Sequence, residues 1–204
     1  MKTAILSSLL VSAAAFAPAK NTVQRTSLKG FEDALGSQEP LGFWDPLGWL
    51  SDADEARFNR LREVELKHGR VSMLAFVGNL VPRAGIYLPG NIDLDGDSFD
   101  SYPPGIAAVL GDDAIPTAGL LQIFLFAGFL ELAVMKDVTG TAEFIGDFRN
   151  GFIDFGWDTF DEDEKLRKRG IELNNGRAAM MGILGLMMHE KIDGNPVVGL
   201  FLDY

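Results

Sequence analysis

The sequence predicts an all-α membrane protein of three transmembrane helices, with the first and third forming a crossed pseudo-twofold pair. Three observations carry that prediction. The 204 residues are 47% hydrophobic yet 23% charged, an apolar content that is high for a chain with so many charges. The stretch Ala118 to Met135 is broken only by Gln122 and Glu131, and its eighteen residues, at ~1.5 Å each, cover about 27 Å of a bilayer's ~30 Å hydrocarbon core. Residues 54–78 also align without a gap with residues 161–185, ten of the twenty-five positions being identical. A single span leaves that repeat unexplained.

In chain order the first element is an address. Residues 1–30 carry Lys2, Lys20, Arg25 and Lys29 and no acid. Lys2 precedes the apolar run Ala4 to Val11, the small residues Ser12 to Ala15 and then Phe16-Ala17-Pro18, which reads as a signal peptide with a small-residue cleavage site. The basic, hydroxyl-bearing stretch Lys20 to Lys29 reads as a transit peptide. Two addresses in series imply two membranes to cross; an ordinary secreted protein is the plainer alternative. Without these four bases the formal charge of −11 becomes −15 for residues 31–204.

The first and third helices are hidden from a hydropathy scan. Both copies of the repeat open on acidic starts, Ser51-Asp52-Ala53-Asp54-Glu55 and Phe160-Asp161-Glu162-Asp163-Glu164, where carboxylates complement the positive end of a helix dipole. Each then runs through Glu-Leu-x-x-Gly-Arg into an apolar stretch, Val71 to Val81 and Ala178 to Met188, that is too short to span alone. With the polar motif included, Val64 to Val81 and Ile171 to Met188 are eighteen residues each and long enough. Spans are therefore expected at about 54–82, 116–136 and 161–190, within one domain covering 31–204.

The net charge of −11 sets nucleic acid aside as a partner. The absence of cysteine excludes disulfides, thiolate zinc sites, all-cysteine iron–sulfur clusters and thiol nucleophiles. Only two histidines, His68 and His189, are present, which excludes a three-histidine centre. The charges within the spans then demand an explanation, because an unpaired ion in hydrocarbon costs at least about 3 kcal/mol. Glu65 and Arg70 are five apart, about 140° net around a helix, and cannot pair within it. A crossed pair of copies would instead bring Glu65 to Arg177 and Glu172 to Arg70. Two such salt bridges could serve as a clamp alone, but other donors would then have no role.

His68 lies on the same side of its helix as Glu65, with Asn175 in the matching place beside Glu172, and His189 sits ~21 Å beyond Asn175 near the same face. Gln122 and Glu131 face opposite sides of the middle span. Seven donors scattered singly suggest several metals that each take one axial ligand, which is the stoichiometry of chlorophyll. Its Mg²⁺, already bound by four ring nitrogens, accepts a fifth ligand from a carboxylate, an amide oxygen or an imidazole. The ladder Gly69, Ser72, Ala75, Gly78, repeated as Gly176, Ala179, Gly182, Gly185, admits either close helix packing or bulky ligands against the backbone. The Met-rich stretch Met180, Met181, Met187 and Met188 reads as adaptable core.

These motifs resemble the chlorophyll a/b and a/c light-harvesting superfamily, and within it the fucoxanthin chlorophyll a/c proteins of diatoms and brown algae. The residues that carry the likeness are Val64-Glu65-Leu66-Lys67-His68-Gly69-Arg70 and Ile171-Glu172-Leu173-Asn174-Asn175-Gly176-Arg177-Ala178-Ala179. Phe129 to Asp137, Gly146 to Asn150 and Ile153 to Asp158 add to it, and the Ala-Phe-Ala-Pro junction resembles the bipartite presequence of proteins sent into secondary plastids of red-algal origin. The resemblance implies that Glu65, His68, Glu172 and Asn175 each ligate a chlorophyll magnesium, with Arg177 and Arg70 as the cross-paired partners. It implies a ligand at His189, where green-plant relatives usually carry Gln, and more loosely at Gln122 and Glu131, whose spacing of nine is eight in green relatives.

The implied cofactors are chlorophyll a, chlorophyll c, fucoxanthin and diadinoxanthin or a related xanthophyll, the carotenoid end groups being received by Gly42 to Gly48 and Phe155 to Asp158. The implied partners are thylakoid lipids, other antenna subunits in a homo- or hetero-oligomer, and a photosystem I or II core. Charge distribution supplies an orientation. Residues 82–115 hold one base, Arg83, among many acids, whereas residues 136–169 hold Lys136, Arg149, Lys165, Arg167, Lys168 and Arg169. The positive-inside rule places the second segment and the mature N-terminus in the stroma, and the first in the lumen with the C-terminus. The function expected is a non-enzymatic antenna of the plastid thylakoid. The alternatives are a photoprotective member of the same superfamily and, remotely, a di-iron carboxylate oxidoreductase built on Glu65 and His68.

Overall fold

The computed structural model describes residues 31–152 and 154–194, so the address expected in residues 1–30 lies outside the described residues. Residues 31–34 form a turn closed by the Ala34 amide on the Phe31 carbonyl. From Leu35 onward the described residues are helices and connecting turns, with two isolated antiparallel bridges, Gln38 to Gly42 and Asn91 to Ser98, in place of strands. The helices are α1 (Glu55–Arg83), a one-turn α2 (Ala107–Leu110), α3 (Thr117–Phe129) and α4 (Glu162–Asp193), with 3-10 turns at Phe99–Ser101 and Trp157–Thr159.

The acidic starts of the repeat are helix caps. The Asp54 side chain accepts the Arg57 amide at 2.8 Å, and the Asp161 side chain accepts the Glu164 amide at 2.7 Å. Each thus satisfies one of the donors a helix leaves open at its first turn. Glu162, Asp163 and Glu164 add negative charge to the first turn of α4. At its other end α4 stops on Gly194, whose φ of +68° is the left-handed conformation that glycine adopts without a Cβ penalty. The middle helix continues past Phe129 as a π-turn over Leu130–Val134, closed by the Met135 amide on the Leu130 carbonyl at 2.7 Å. Thr117–Val134 is the one candidate span by length and apolarity among the described residues, and none of its residues is buried.

α1 and α4 pack against each other and run in the same direction. Their closest approach is backbone on backbone: a Cβ added to Gly69 would lie 3.0 Å from the Gly176 Cα, and the reverse distance is also 3.0 Å. Leu66 and Leu173, equivalent positions of the repeat, are the buried apolar side chains here, at 8% and 3% exposure. The small-residue ladder divides by role. Gly69 and Gly176 make the helix contact and Gly182 receives the Phe76 ring, whereas a Cβ on Gly78 or Gly185 would meet nothing within 4 Å. Outside this seam many apolar residues are uncovered, as at Leu74 (77% exposed) and Phe124 (73%).

A branched side chain at the seam must push the two backbones apart. Gly176→Val is expected to cost about 1–3 kcal/mol of stability, read as a lowered unfolding midpoint in the helical circular dichroism of the detergent-solubilised protein.

Candidate functional site

The charges within the repeat meet across the seam. Arg177 Nε donates to Glu65 Oε1 at 2.8 Å, and Arg70 Nε donates to Glu172 Oε1 at 2.6 Å. Each arginine also reaches back to a loop glycine: Arg177 to the Gly36 carbonyl at 2.7 Å, and Arg70 to the Gly146 carbonyl at 2.8 Å. Both glycines have positive φ, +105° and +87°, and are confined, since a Cβ on Gly146 would sit 2.8 Å from a Leu66 methyl. Sequence reasoning missed Gly36 and Gly146 as partners. Their signal is an apolar-glycine pair, Leu35-Gly36 and Ile145-Gly146, upstream of each acidic helix start.

The two halves are not identical in charge. Glu65 also accepts Arg62 Nη1 on its second oxygen at 2.8 Å. The equivalent of Arg62 is Arg169, which instead lies 4.3 Å from the Phe144 ring centroid. Among the described residues, the second oxygen of Glu172 accepts no hydrogen bond. Because Glu65 is engaged by two arginines, it is unsuited to a di-iron centre, where a carboxylate must carry its negative charge to the metals.

The remaining donors stay apart. His68 is exposed, and its Nδ1 lies 2.8 Å from the Val64 carbonyl. A carbonyl only accepts, so Nδ1 carries the proton and, in the neutral ring, Nε2 keeps its lone pair. Asn175 is exposed on α4 and Gln122 on α3. Glu131 lies in the π-turn, where its carboxylate meets Lys67 Nζ at 3.1 Å. His189 is half-buried near the end of α4. Among the described residues no three His, Asp or Glu side chains converge as a metal site.

A further ion pair also escaped sequence reasoning. Arg83 and Glu190, equivalent positions of the repeat, pair at 2.7 Å with side chains only 9% and 10% exposed. Asn79 accepts from Arg83 Nε at 2.8 Å, and Glu190 accepts the Ile106 and Ala107 amides at 3.3 Å each. This joins the ends of α1 and α4 to the segment before α2. The readable signal was opposite charge at one repeat position.

Two apolar grooves flank the helix pair. One, of about 680 Å³, runs past Arg70 and Glu172 under Phe144, Phe148, Phe155 and Trp157. The other, of about 490 Å³, lies between the far end of the pair and the long acidic connection, walled by Gly78, Tyr87, Phe99, Tyr102, Ile183 and Met187. The two Trp-Asp segments, expected to be alike, differ here. Trp44 is 68% exposed, whereas Trp157 packs on Phe144, donates to Glu143 at 3.0 Å and carries the Arg149 guanidinium 5.5 Å above its ring centroid.

Arg149 organises the connection from α3 to α4. It holds Asp147 through two bonds, Nε–Oδ1 at 2.9 Å and Nη2–Oδ2 at 2.8 Å, and Asp154 through a third at 2.8 Å. The Arg149 side chain, helped by the Arg149 and Glu143 amides and opposed by burial, holds the Asp147 carboxyl down at about 2. With its folded value below its unfolded one, Asp147 contributes stability that is complete above about pH 4 and lost as pH falls through about 2. Asp147→Asn should remove that acid-side dependence and loosen the connection, seen as a smaller change in unfolding midpoint between pH 5 and pH 2 and as faster proteolysis after Lys136.

The chain matches the family model described as chlorophyll A-B binding protein over residues 31–191. It is 66% identical over 201 residues to the chloroplastic fucoxanthin-chlorophyll a-c binding protein of Trieres chinensis, covering 98% of this chain and 99% of that one. It is 58% identical over 195 residues to fucoxanthin-chlorophyll a-c binding protein A of Phaeodactylum tricornutum, covering 94% and 97%. To fucoxanthin-chlorophyll a-c binding protein B of Macrocystis pyrifera it is 54% identical over 171 residues, covering 82% and 76%. With the paired Glu and Arg motifs, the family match and relatives of this identity aligned nearly end to end, the chain belongs to the chlorophyll a/b-binding protein family.

Proposed function

We propose that this chain is a light-harvesting antenna protein that binds chlorophyll a, chlorophyll c and fucoxanthin and passes excitation energy to a photosystem, with no catalytic step of its own. The relatives' names supply the pigment classes. One observation carries the reading to this chain's residues: Glu65 and Glu172 are already neutralised by arginine, yet keep lone pairs beside apolar surface that the chain leaves uncovered. A carboxylate has about four lone-pair sites, so Glu172, in a neutral pair with Arg70, and Glu65, held by both Arg177 and Arg62, each keep room for a magnesium.

The donor set fits such a role residue by residue. Glu172 keeps one oxygen clear of arginine. His68, with its proton held on Nδ1 by Val64, offers Nε2. Asn175, Gln122, Glu131 and His189 each offer one further oxygen or nitrogen. The bound pigments supply the absorption and excitation transfer; the protein holds them apart at set distances and excludes water. Gly78 and Gly185, open at the helix surface, leave room for flat rings. The grooves under Trp157 and beside Tyr87 offer apolar slots for fucoxanthin and diadinoxanthin.

On this reading α1, α3 and α4 are the three spans, and α1 and α4 are a pseudo-twofold pair. The mature N-terminus and the Arg149 connection face the stroma, while the acidic connection and the C-terminus face the lumen. Residues 1–30 are the plastid address. The partners are thylakoid lipids, other antenna subunits and a photosystem core.

The absorption spectrum of the purified protein tests the function, with chlorophyll c and red-shifted fucoxanthin bands expected; a colourless protein containing iron would sink the reading. Glu65→Ala with Arg177→Leu should abolish assembly and pigment uptake, whereas a pure clamp predicts a less stable helix pair that still carries the full pigment complement. His68→Leu should leave the helices assembled and lower the chlorophyll count by one per polypeptide.

A further inference from the structure

The middle helix has no counterpart in the repeat, so the arginine that each repeat glutamate borrows from the other copy is not available to Glu131. Its cation comes from elsewhere. Lys67 Nζ stands 3.1 Å from Glu131 Oε2 and 3.5 Å from Glu63 Oε1, with its ammonium 5.5 Å from the Phe148 ring centroid. Arg70, on the same face of α1, also lies 5.5 Å from that ring.

The repeat is broken at this position. Lys67 aligns with Asn174, whose amide donates to Gln38 Oε1 instead. At this position the two flanks of the pair differ: the α1 flank presents a cation to α3, and the α4 flank presents a neutral amide to the segment before α1. A long amine facing apolar surroundings is costly unless it meets an anion, and the carboxylate it meets is on a helix none of whose residues is buried.

We infer that Lys67 is a positioning residue for a pigment: its ammonium, closer to Glu131 than to Glu63, compensates the charge of the middle-helix carboxylate, so that Glu131 holds a chlorophyll magnesium. This rests on the antenna reading above. Lys67 touches no pigment atom in this role; it sets the charge and orientation of the group that does. One prediction separates charge compensation from a structural tie between α1 and α3. If only the tie matters, any variant lacking the ion pair is impaired. If neutrality matters, removing both charges together restores the site, because a glutamine oxygen also ligates magnesium.

The experiment is refolding in detergent with chlorophyll a, chlorophyll c and fucoxanthin, followed by pigment extraction and a count of chlorophyll per polypeptide. Lys67→Met is expected to lose one chlorophyll, Lys67→Arg to keep the full count, and Lys67→Met with Glu131→Gln to regain it. A full count in Lys67→Met, or no recovery in the double variant, overturns the role of Lys67 while a pigmented wild type leaves the antenna reading standing. A wild type that takes up no chlorophyll overturns both.

Discussion

Charge pairing across the α1–α4 seam is the constraint on which the rest of the structure depends. Glu65 and Glu172 each pair with the arginine of the other copy, Arg177 and Arg70, and Glu65 takes Arg62 of its own helix as well. Because partners on one helix must be three or four residues apart, the spacing of five between Glu65 and Arg70 forces the pairing between helices. The helices must then approach until Gly69 meets Gly176, a distance at which no side chain fits. Each arginine also takes a loop carbonyl, so the same interaction draws in the segments that precede the two helices.

The pairing stands almost alone as an internal core. Two leucines at equivalent positions are the buried apolar side chains among the described residues, and the surfaces of α1, α3 and α4 remain open. A water-soluble domain of this length buries most of its apolar side chains. An apolar environment supplied by lipid and by flat pigments accounts for the surface left uncovered and for the glycines that face nothing. On that reading the protein is a frame whose packing is completed by its cofactors.

Symmetry is broken around the paired motifs. Arg62 joins Glu65, while its equivalent Arg169 stacks on Phe144. Lys67 reaches the middle helix, while Asn174 reaches Gln38. Trp44 is exposed, while Trp157 anchors the Arg149 network. A duplicated helix motif provides two Glu–Arg pairs, and the residues around it give each a different electrostatic surrounding.

From residue order alone came the local features: helix starts, because Asp54 and Asp161 cap through neighbours three residues away, and the apolar middle helix, because its composition is uniform. The Glu–Arg partners could also be read, since the gap-free repeat constrains which residues face one another and an isolated charge in hydrocarbon is too costly to stand. Other features depended on contacts between residues far apart in the chain. The Gly36 and Gly146 carbonyls, the buried Arg83–Glu190 pair and the Lys67–Glu131 pair follow from how loops and the middle helix lie against the seam. No periodicity encodes those positions. The division of the small-residue ladder into a helix contact and an open face has the same origin, because identical glycines differ only in what the folded chain places opposite them.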